Sequence, residues 1–224
     1  LELIEEFGDT NLWDISIIDT HTAVIAGIDG YFARSEDAGK SWTKMGIFEK
    51  NARIEGIDFF NEMDGYALIN YDLFKTKDGG KTWNKTSELG KSRPSSLHFL
   101  TNSKGFVNNF LDVSVYTSNS GKSWERSNIS YMHKLHFKDN SEGYGVYHHK
   151  DSTVFYTTKN SGKTWSTLQS LSYEELPPRI NSIYFHDDNN GWLGSDDGIL
   201  LRTSTGGKKW NRIFLPYAGC INFI

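Results

Sequence analysis

Tryptophan returns at a fixed interval in this chain. Trp42, Trp83, Trp124 and Trp165 stand 41 residues apart, and Trp210 follows 45 residues later. Each closes the same phrase: SEDAGKSW at Trp42, TKDGGKTW at Trp83, TSNSGKSW at Trp124, TKNSGKTW at Trp165 and, more loosely, TSTGGKKW at Trp210. The Gly-Lys-Thr letters invite a phosphate-loop reading, which needs a second glycine five residues earlier so that backbone N–H groups can wrap the phosphates. Before Gly80 that position is Lys75. A nucleotide site does not recur five times in one chain, whereas a structural repeat does, and a period near forty confines the fold to repeat architectures.

The rest of the unit recurs in phase. An apolar-polar-aromatic triplet stands upstream of each later Trp: Ile57-Asp58-Phe59, Leu97-His98-Phe99, Leu135-His136-Phe137 and Ile183-Tyr184-Phe185. Eight residues after the first member of each comes glycine plus an aromatic residue, at Gly65-Tyr66, Gly105-Phe106, Gly143-Tyr144 and Gly191-Trp192. The first copy is worn, with Ile15-Ser16-Ile17 followed by Ala23-Val24. Repeats are therefore expected at roughly 8–48, 49–89, 90–130, 131–171 and 172–215, within one domain spanning 1–224. Each holds four short runs of aromatic and β-branched residues separated by turn residues, which reads as a four-stranded antiparallel meander. In the second copy the strands are expected at about Ile54–Phe60, Tyr66–Asn70, Leu73–Thr76 and Thr82–Thr86. No segment sustains a 3.6-residue apolar period, so helix is minimal. Apolar residues fall on both faces of each small sheet, so neighbouring units must cover them; all-β units of this period predict a β-propeller.

Composition limits the partners. With 24 Lys plus Arg against 28 Asp plus Glu, the net charge is -4, and no basic stripe interleaved with aromatics suggests nucleic acid. No stretch has the length and apolarity of a membrane-spanning helix. Cys220 is the single cysteine, which excludes an internal disulfide framework. A chain that starts at Leu1 is expected to have a processed N-terminus.

The pattern Ser/Thr-x-Asp-x-Gly-x-Thr/Ser-Trp is complete in Ser35, Asp37, Gly39, Ser41, Trp42 and in Thr76, Asp78, Gly80, Thr82, Trp83. Asn119 and Asn160 take the Asp position in the third and fourth copies; the fifth has Thr205 there and Lys209 before Trp210. This pattern resembles the Asp box of the bacterial neuraminidase repeat. The fuller phrase NSIYFHDDNNGWLGSDDGILLRTSTGGKKW is similar to repeats of the photosystem II stability/assembly factor family and its bacterial relatives, and the likeness extends over almost the whole chain. The resemblance implies an exported, non-catalytic scaffold that binds a protein or peptide and uses no cofactor or metal.

The box itself reads as a turn. An Asp or Asn side chain folds back onto backbone N–H groups and glycine supplies a positive φ, while the Trp lays an apolar face on its surroundings. Lys40, Lys81, Lys122, Lys163 and Lys208 are expected to be solvated turn residues. Function is expected at the opposite rim, where the connections between blades lie beside the turns joining second and third strands. Aligned on the triplet, Arg53, Arg93, Tyr131 and Arg179 occupy one position four residues upstream, with Asn11 in the worn copy. The chain has seven arginines, and three at one repeat position suit an acidic peptide terminus or small molecule. The triplet's polar residue gives a second arc of candidate binding residues, Asp58, His98, His136 and Tyr184, together with Ser16 and Asn222, expected to face a central channel. His148 and His149 are neighbours on one strand, point to opposite faces and are assigned no metal role.

The competing class is a glycan-binding or glycoside-hydrolysing, sialidase-like propeller. Three arginines superficially fit that family's triad, yet Arg179-Ile180-Asn181 departs from its Arg-Ile-Pro motif at the third residue. A glycosidase needs a pair of carboxylates across a pocket, and Asp58 is the one acid in the inner arc. The longest insertion, LQSLSYEELPPRI, is expected to be a connection stiffened by Pro177-Pro178, and a candidate contact loop through Glu174 and Glu175. Residues 1–7 and 220–224 read as an outer strand and the start of an inner one, expected to belong to an incomplete sixth unit or to a closure made by both termini.

Overall fold

A computed structural model describes residues 11–89, 93–175, 179–195, 197–213 and 215. The expected terminal strands at 1–7 and 220–224, Asn222, Cys220 and Pro177-Pro178 lie outside the described residues. The chain is an all-β, five-bladed β-propeller of four-stranded antiparallel sheets in simple meander order, with one 3-10 turn (Ile28–Gly30) as the helix among the described residues. Blade 1 comprises Leu12–Ile17, Ala23–Gly27, Tyr31–Ser35 and Thr43–Ile47; blade 2, Ile54–Phe59, Gly65–Ile69, Asp72–Thr76 and Asn84–Glu88; blade 3, Pro94–Phe99, Gly105–Asn109, Val115–Thr117 and Glu125–Arg126. Blade 4 comprises Lys134–Phe137, Gly143–His148, Ser152–Thr158 and Ser166–Ser172; blade 5, Ile180–Phe185, Gly191–Ser195, Leu200–Thr203 and Asn211–Ile213. The chain divides into two compact units, Leu1–Glu125 and Arg126–Ile224.

Two expectations shift. In blade 2 the fourth strand begins at Asn84 rather than Thr82, because the box turn consumes the chain through Trp83. The first part of the long insertion is not loop: Ser166–Ser172 pairs with Ser152–Thr158 across its whole length, since blade 4 has longer second and third strands for it to follow.

Each box is a closed set of local bonds. In blade 2 the Thr76 hydroxyl donates to Asp78 at 2.8 Å and accepts from Gly80 N–H at 2.9 Å; Asp78 accepts from Thr82 N–H at 2.9 Å and from its hydroxyl at 2.5 Å. Blade 1 repeats this with Ser35, Asp37, Gly39 and Ser41. In the asparagine copies the last bond reverses, the Asn119 and Asn160 amides donating to Ser123 and Thr164. The two box aspartates, held by these donors, have pKa values near 2. The turn needs two successive left-handed residues, and the second is always glycine, from Gly39 (φ 82°) to Gly207 (φ 82°).

The triplet aromatic and the following glycine explain each other. Phe59 pairs across the strands with Gly65, Phe99 with Gly105, Phe137 with Gly143 and Phe185 with Gly191. A methyl group on Gly65 would sit 2.7 Å from the Phe59 ring, and the others are as tight. In the worn first copy Ile17 faces Ala23; no ring lies over the site, so alanine fits.

The cores lie between blades, as sheets with two apolar faces require. Val24, Phe32, Ile54, Ile57 and Ile69 join blades 1 and 2; Tyr66, Leu73, Leu97 and Val107 join blades 2 and 3; Val146, Phe155, Ile183 and Leu193 join blades 4 and 5. The aromatic after each glycine reaches forward: Tyr66 stacks on Phe99 and Tyr144 on Phe185, both at 3.6 Å between centroids. The box Trp reaches back, Trp83 onto Phe32 and Trp210 onto Phe155. The Trp124 indole N–H donates to Ser87 Oγ at 3.1 Å, whereas those of Trp83 and Trp210 are buried without a hydrogen-bond partner.

Candidate functional site

The first strand of a blade does not run straight into its sheet. In blades 1, 2, 3 and 5 its pairing skips one residue, a β-bulge at Trp13, Glu55, Ser95 and Asn181. A bulge re-aims the side chain it carries. In the first unit three of these residues converge, and Trp13, Glu55 and Ser95 line a cleft of about 400 Å³ together with Arg53, Arg93, Pro94, Tyr71 and Phe110. Arg53 and Arg93 open the first strands of blades 2 and 3; Tyr71 and Phe110 come from the turns between second and third strands. The cleft thus lies at the strand ends opposite the box turns.

Local bonds hold these pieces in place. Asn70 and Tyr71, at φ 51° and 69°, form a tight hairpin turn with both central residues left-handed. Asn70 N–H donates to the Arg53 carbonyl, and Arg53 N–H donates to Asn70 Oδ1, both at 2.9 Å. In blade 3, Phe110 N–H donates to the Arg93 carbonyl at 2.9 Å. Arg93 and Arg179 are themselves left-handed, at φ 48° and 72°, which costs a non-glycine residue about 1 kcal/mol.

The cleft's electrostatics are unbalanced. The Arg53 guanidinium lies 4.6 Å above the Trp13 ring, and its Nε is 3.8 Å from Glu55 Oε1, beyond hydrogen-bonding distance. The Glu55 side chain is 7% exposed. Its Oε2 accepts a long bond from Tyr71 N–H at 3.4 Å, and Oε1 has no hydrogen-bond partner. Burial pushes its carboxyl up to about 7 against the opposing pull of the Tyr71 N–H and, more weakly, of Arg53. Around this core Trp13 and Phe110 are 42% and 55% exposed.

The other sequence-predicted residues fall elsewhere. Tyr131 and Arg179 belong to the second unit, at the starts of blades 4 and 5. The Tyr131 ring meets His133 edge-on at 5.1 Å, and Arg179 is exposed. The inner arc is engaged in joining blades. Asp58 Oδ2 accepts from Phe99 N–H at 2.6 Å, Ser16 Oγ from Phe59 N–H at 2.9 Å, and His136 Nε2 donates to the Phe185 carbonyl at 3.1 Å. In each case a polar residue of one triplet bonds the aromatic residue of the next. Asp14 adds a rung to Ile57 N–H at 2.8 Å. Burial raises Asp14 to about 6 and Asp58 to about 7, the latter helped by the Asp14 charge; burial lowers His136. Tyr184 lies between the His136 and Trp192 rings, and His98 is half-buried. His148 accepts from the Thr153 hydroxyl and donates through Nε2 to the Ile180 carbonyl, so it also joins blades 4 and 5. Among the described residues no three His, Cys, Asp or Glu side chains cluster to hold a metal ion.

Box turns, repeat length and sheet order define the class: an Asp-box β-propeller. The family described as Photosynthesis system II assembly factor YCF48 matches residues 130–218. A photosystem II assembly lipoprotein Ycf48 of Synechococcus sp. (strain CC9902) is 23% identical over 92% of this chain, which spans 63% of that relative's own length. The chloroplastic photosystem II stability/assembly factor HCF136 of Oryza sativa subsp. japonica is 40% identical over 58 residues, 25% of this chain and 14% of that one. Among solved structures, YCF48 bound to D1 peptide superposes with a TM-score of 0.60 at 17% identity, covering 91% of this chain and 82% of that one. The GH74 enzyme of Niastella koreensis superposes with a TM-score of 0.69 at 13% identity, covering 90% of this chain and 38% of the enzyme. At these identities both structures speak for the fold alone. For a glycosidase the cleft would have to present two carboxylates, and Glu55 is the one carboxylate among its lining residues.

Proposed function

We propose that the chain is a non-catalytic, assembly-factor-like scaffold that binds a protein or peptide in the cleft of blades 1–3, gripping an acidic group with Arg53 and Arg93. The observation that carries this reading is the convergence of two arginines with exposed Trp13 and Phe110 around a single, half-satisfied carboxylate. Guanidinium groups take carboxylates bidentately, and flat aromatic faces accept the apolar residues beside them. Relatives named as assembly lipoproteins, and a structural neighbour solved with a peptide, support both the partner class and an exported location for this chain. Tyr131 and Arg179 are read as the second unit's contribution to partner binding, at the same repeat position.

The test is fluorescence polarisation with a labelled peptide ending in a free carboxylate, compared with its C-terminal amide. Wild type is expected to prefer the acid, and the Arg53→Ala, Arg93→Ala double variant to lose that preference. Equal affinity of wild type for the two peptides would remove the reading.

A further inference from the structure

Glu55 has no role in gripping an anion, yet it occupies the centre of the proposed anion site. As the bulged residue of its strand it points into the cleft, nine-tenths buried, with one carboxylate oxygen lacking any hydrogen bond. Leaving a buried carboxylate so poorly solvated is costly. Its charged and titratable neighbours are few: Arg53 on its own strand, Arg93 from blade 3 and Tyr71 from the adjoining turn, while Trp13, Ser95, Pro94 and Phe110 bring no charge. Arg53 is divided between this carboxylate, at 3.8 Å, and the Trp13 ring, at 4.6 Å.

We propose that Glu55 is an internal counter-ion that stands in for the partner's carboxylate, holding Arg53 until the incoming acidic group displaces it and thereby setting the affinity of the cleft and its response to pH. This rests on the reading of the cleft as an acidic-group site. The direction follows from linkage. Burial already brings Glu55 to about 7, and a second negative charge beside it raises that value further. Binding then takes up a proton, so affinity is highest where Glu55 is protonated and falls as pH rises through neutrality.

The experiment uses the same carboxylate-ended peptide and its amide on wild type, Glu55→Gln and Arg53→Ala. Wild type should bind the acid about tenfold more weakly at about pH 8 than at about pH 6, an order-of-magnitude expectation from a neighbouring like charge. Glu55→Gln keeps the shape without the charge, and should bind tightly and equally at both. Arg53→Ala should be weak at both. A Glu55→Gln variant that retains the wild-type slope overturns the proposal while leaving the cleft reading intact. A flat wild-type profile does the same, even if the variant fails to fold. No preference for the acid in wild type overturns both.

Discussion

The strand starts of blades 1–3 and that of blade 4 use the same repeat positions for different ends. In the first unit, Arg53, Arg93, Trp13 and Glu55 surround open space, and Glu55 is left half-satisfied. In the second, the counterparts of Arg53 and Glu55 are Tyr131 and His133. The His133 ring is packed by Tyr131, Tyr147 and His148, with centroids 5.1, 5.1 and 4.7 Å away, and its Nδ1 accepts from His148 N–H at 3.0 Å. One backbone frame thus carries a charged, incompletely paired surface in blades 2 and 3 and a neutral, internally bonded one in blade 4, while Arg179 keeps an exposed charge at the start of blade 5. The repeat fixes where side chains stand; residue chemistry decides whether they are used up by the fold.

The comparison breaks most readily at the arginines. Arg53→Ala with Arg93→Ala should weaken binding of the acidic peptide about 100-fold. His133→Ala, changed in the neutral region, should leave it within about twofold of wild type. Loss of binding in the second variant, by the same polarisation assay, would mean the two regions do not differ in use.

Acidity should separate them next, because the titratable rungs between blades are carboxyls in one region and imidazoles in the other. Asp14, Asp58 and Glu55 favour their protonated forms when folded, so their stabilisation is full below the ordinary carboxylate pKa of about 4 and is lost as pH rises through about 6 to 7. His133 and His136 are held below the ordinary imidazole value by burial, so they favour the neutral form. Their contribution is present above about 6.5 and fades as pH falls through their lowered values. Hydrogen exchange, corrected for intrinsic rates, should show blades 1–3 loosening from about pH 5 to about pH 8, by a few kcal/mol at most. Blades 4–5 should tighten over the same range. Asp58→Asn should flatten the first trend.

Smaller effects should be common to both regions and so serve as controls. Gly65→Ala and Gly191→Ala each drive a methyl to 2.7 Å from a phenylalanine ring carbon and should cost about 1–3 kcal/mol in urea unfolding. Thr76→Val and Thr203→Val each strip the buried hydroxyl that caps the box glycine's N–H, and should cost about 1 kcal/mol alike. Unequal costs would show that the repeats are less equivalent than their geometry.

Much of this was legible in the residues. The 41-residue tryptophan period gave the blades, and the box gave its turn, because both depend on local chemistry repeated in register. The upstream arginine position was visible for the same reason, and Arg53 and Arg93 both line the cleft. Glu55 and Trp13 were not, because counting alternate residues along a strand cannot see a bulge, and one skipped partner reverses every facing upstream of it. Nor could the polar triplet residues be distinguished from channel-facing donors by pattern. A polar side chain between two buried apolar neighbours was the available signal: it needs a backbone partner, and the next repeat offers one.

The fit between Phe59 and Gly65, and its absence where Ile17 meets Ala23, also ties the two positions of each repeat together. A copy that has lost its phenylalanine can exchange glycine for alanine without strain, as the first blade has the room to do. Once the methyl is there, the ring has no way back in. Each blade therefore carries a two-part latch, in which the ring can be installed only while its partner position is glycine.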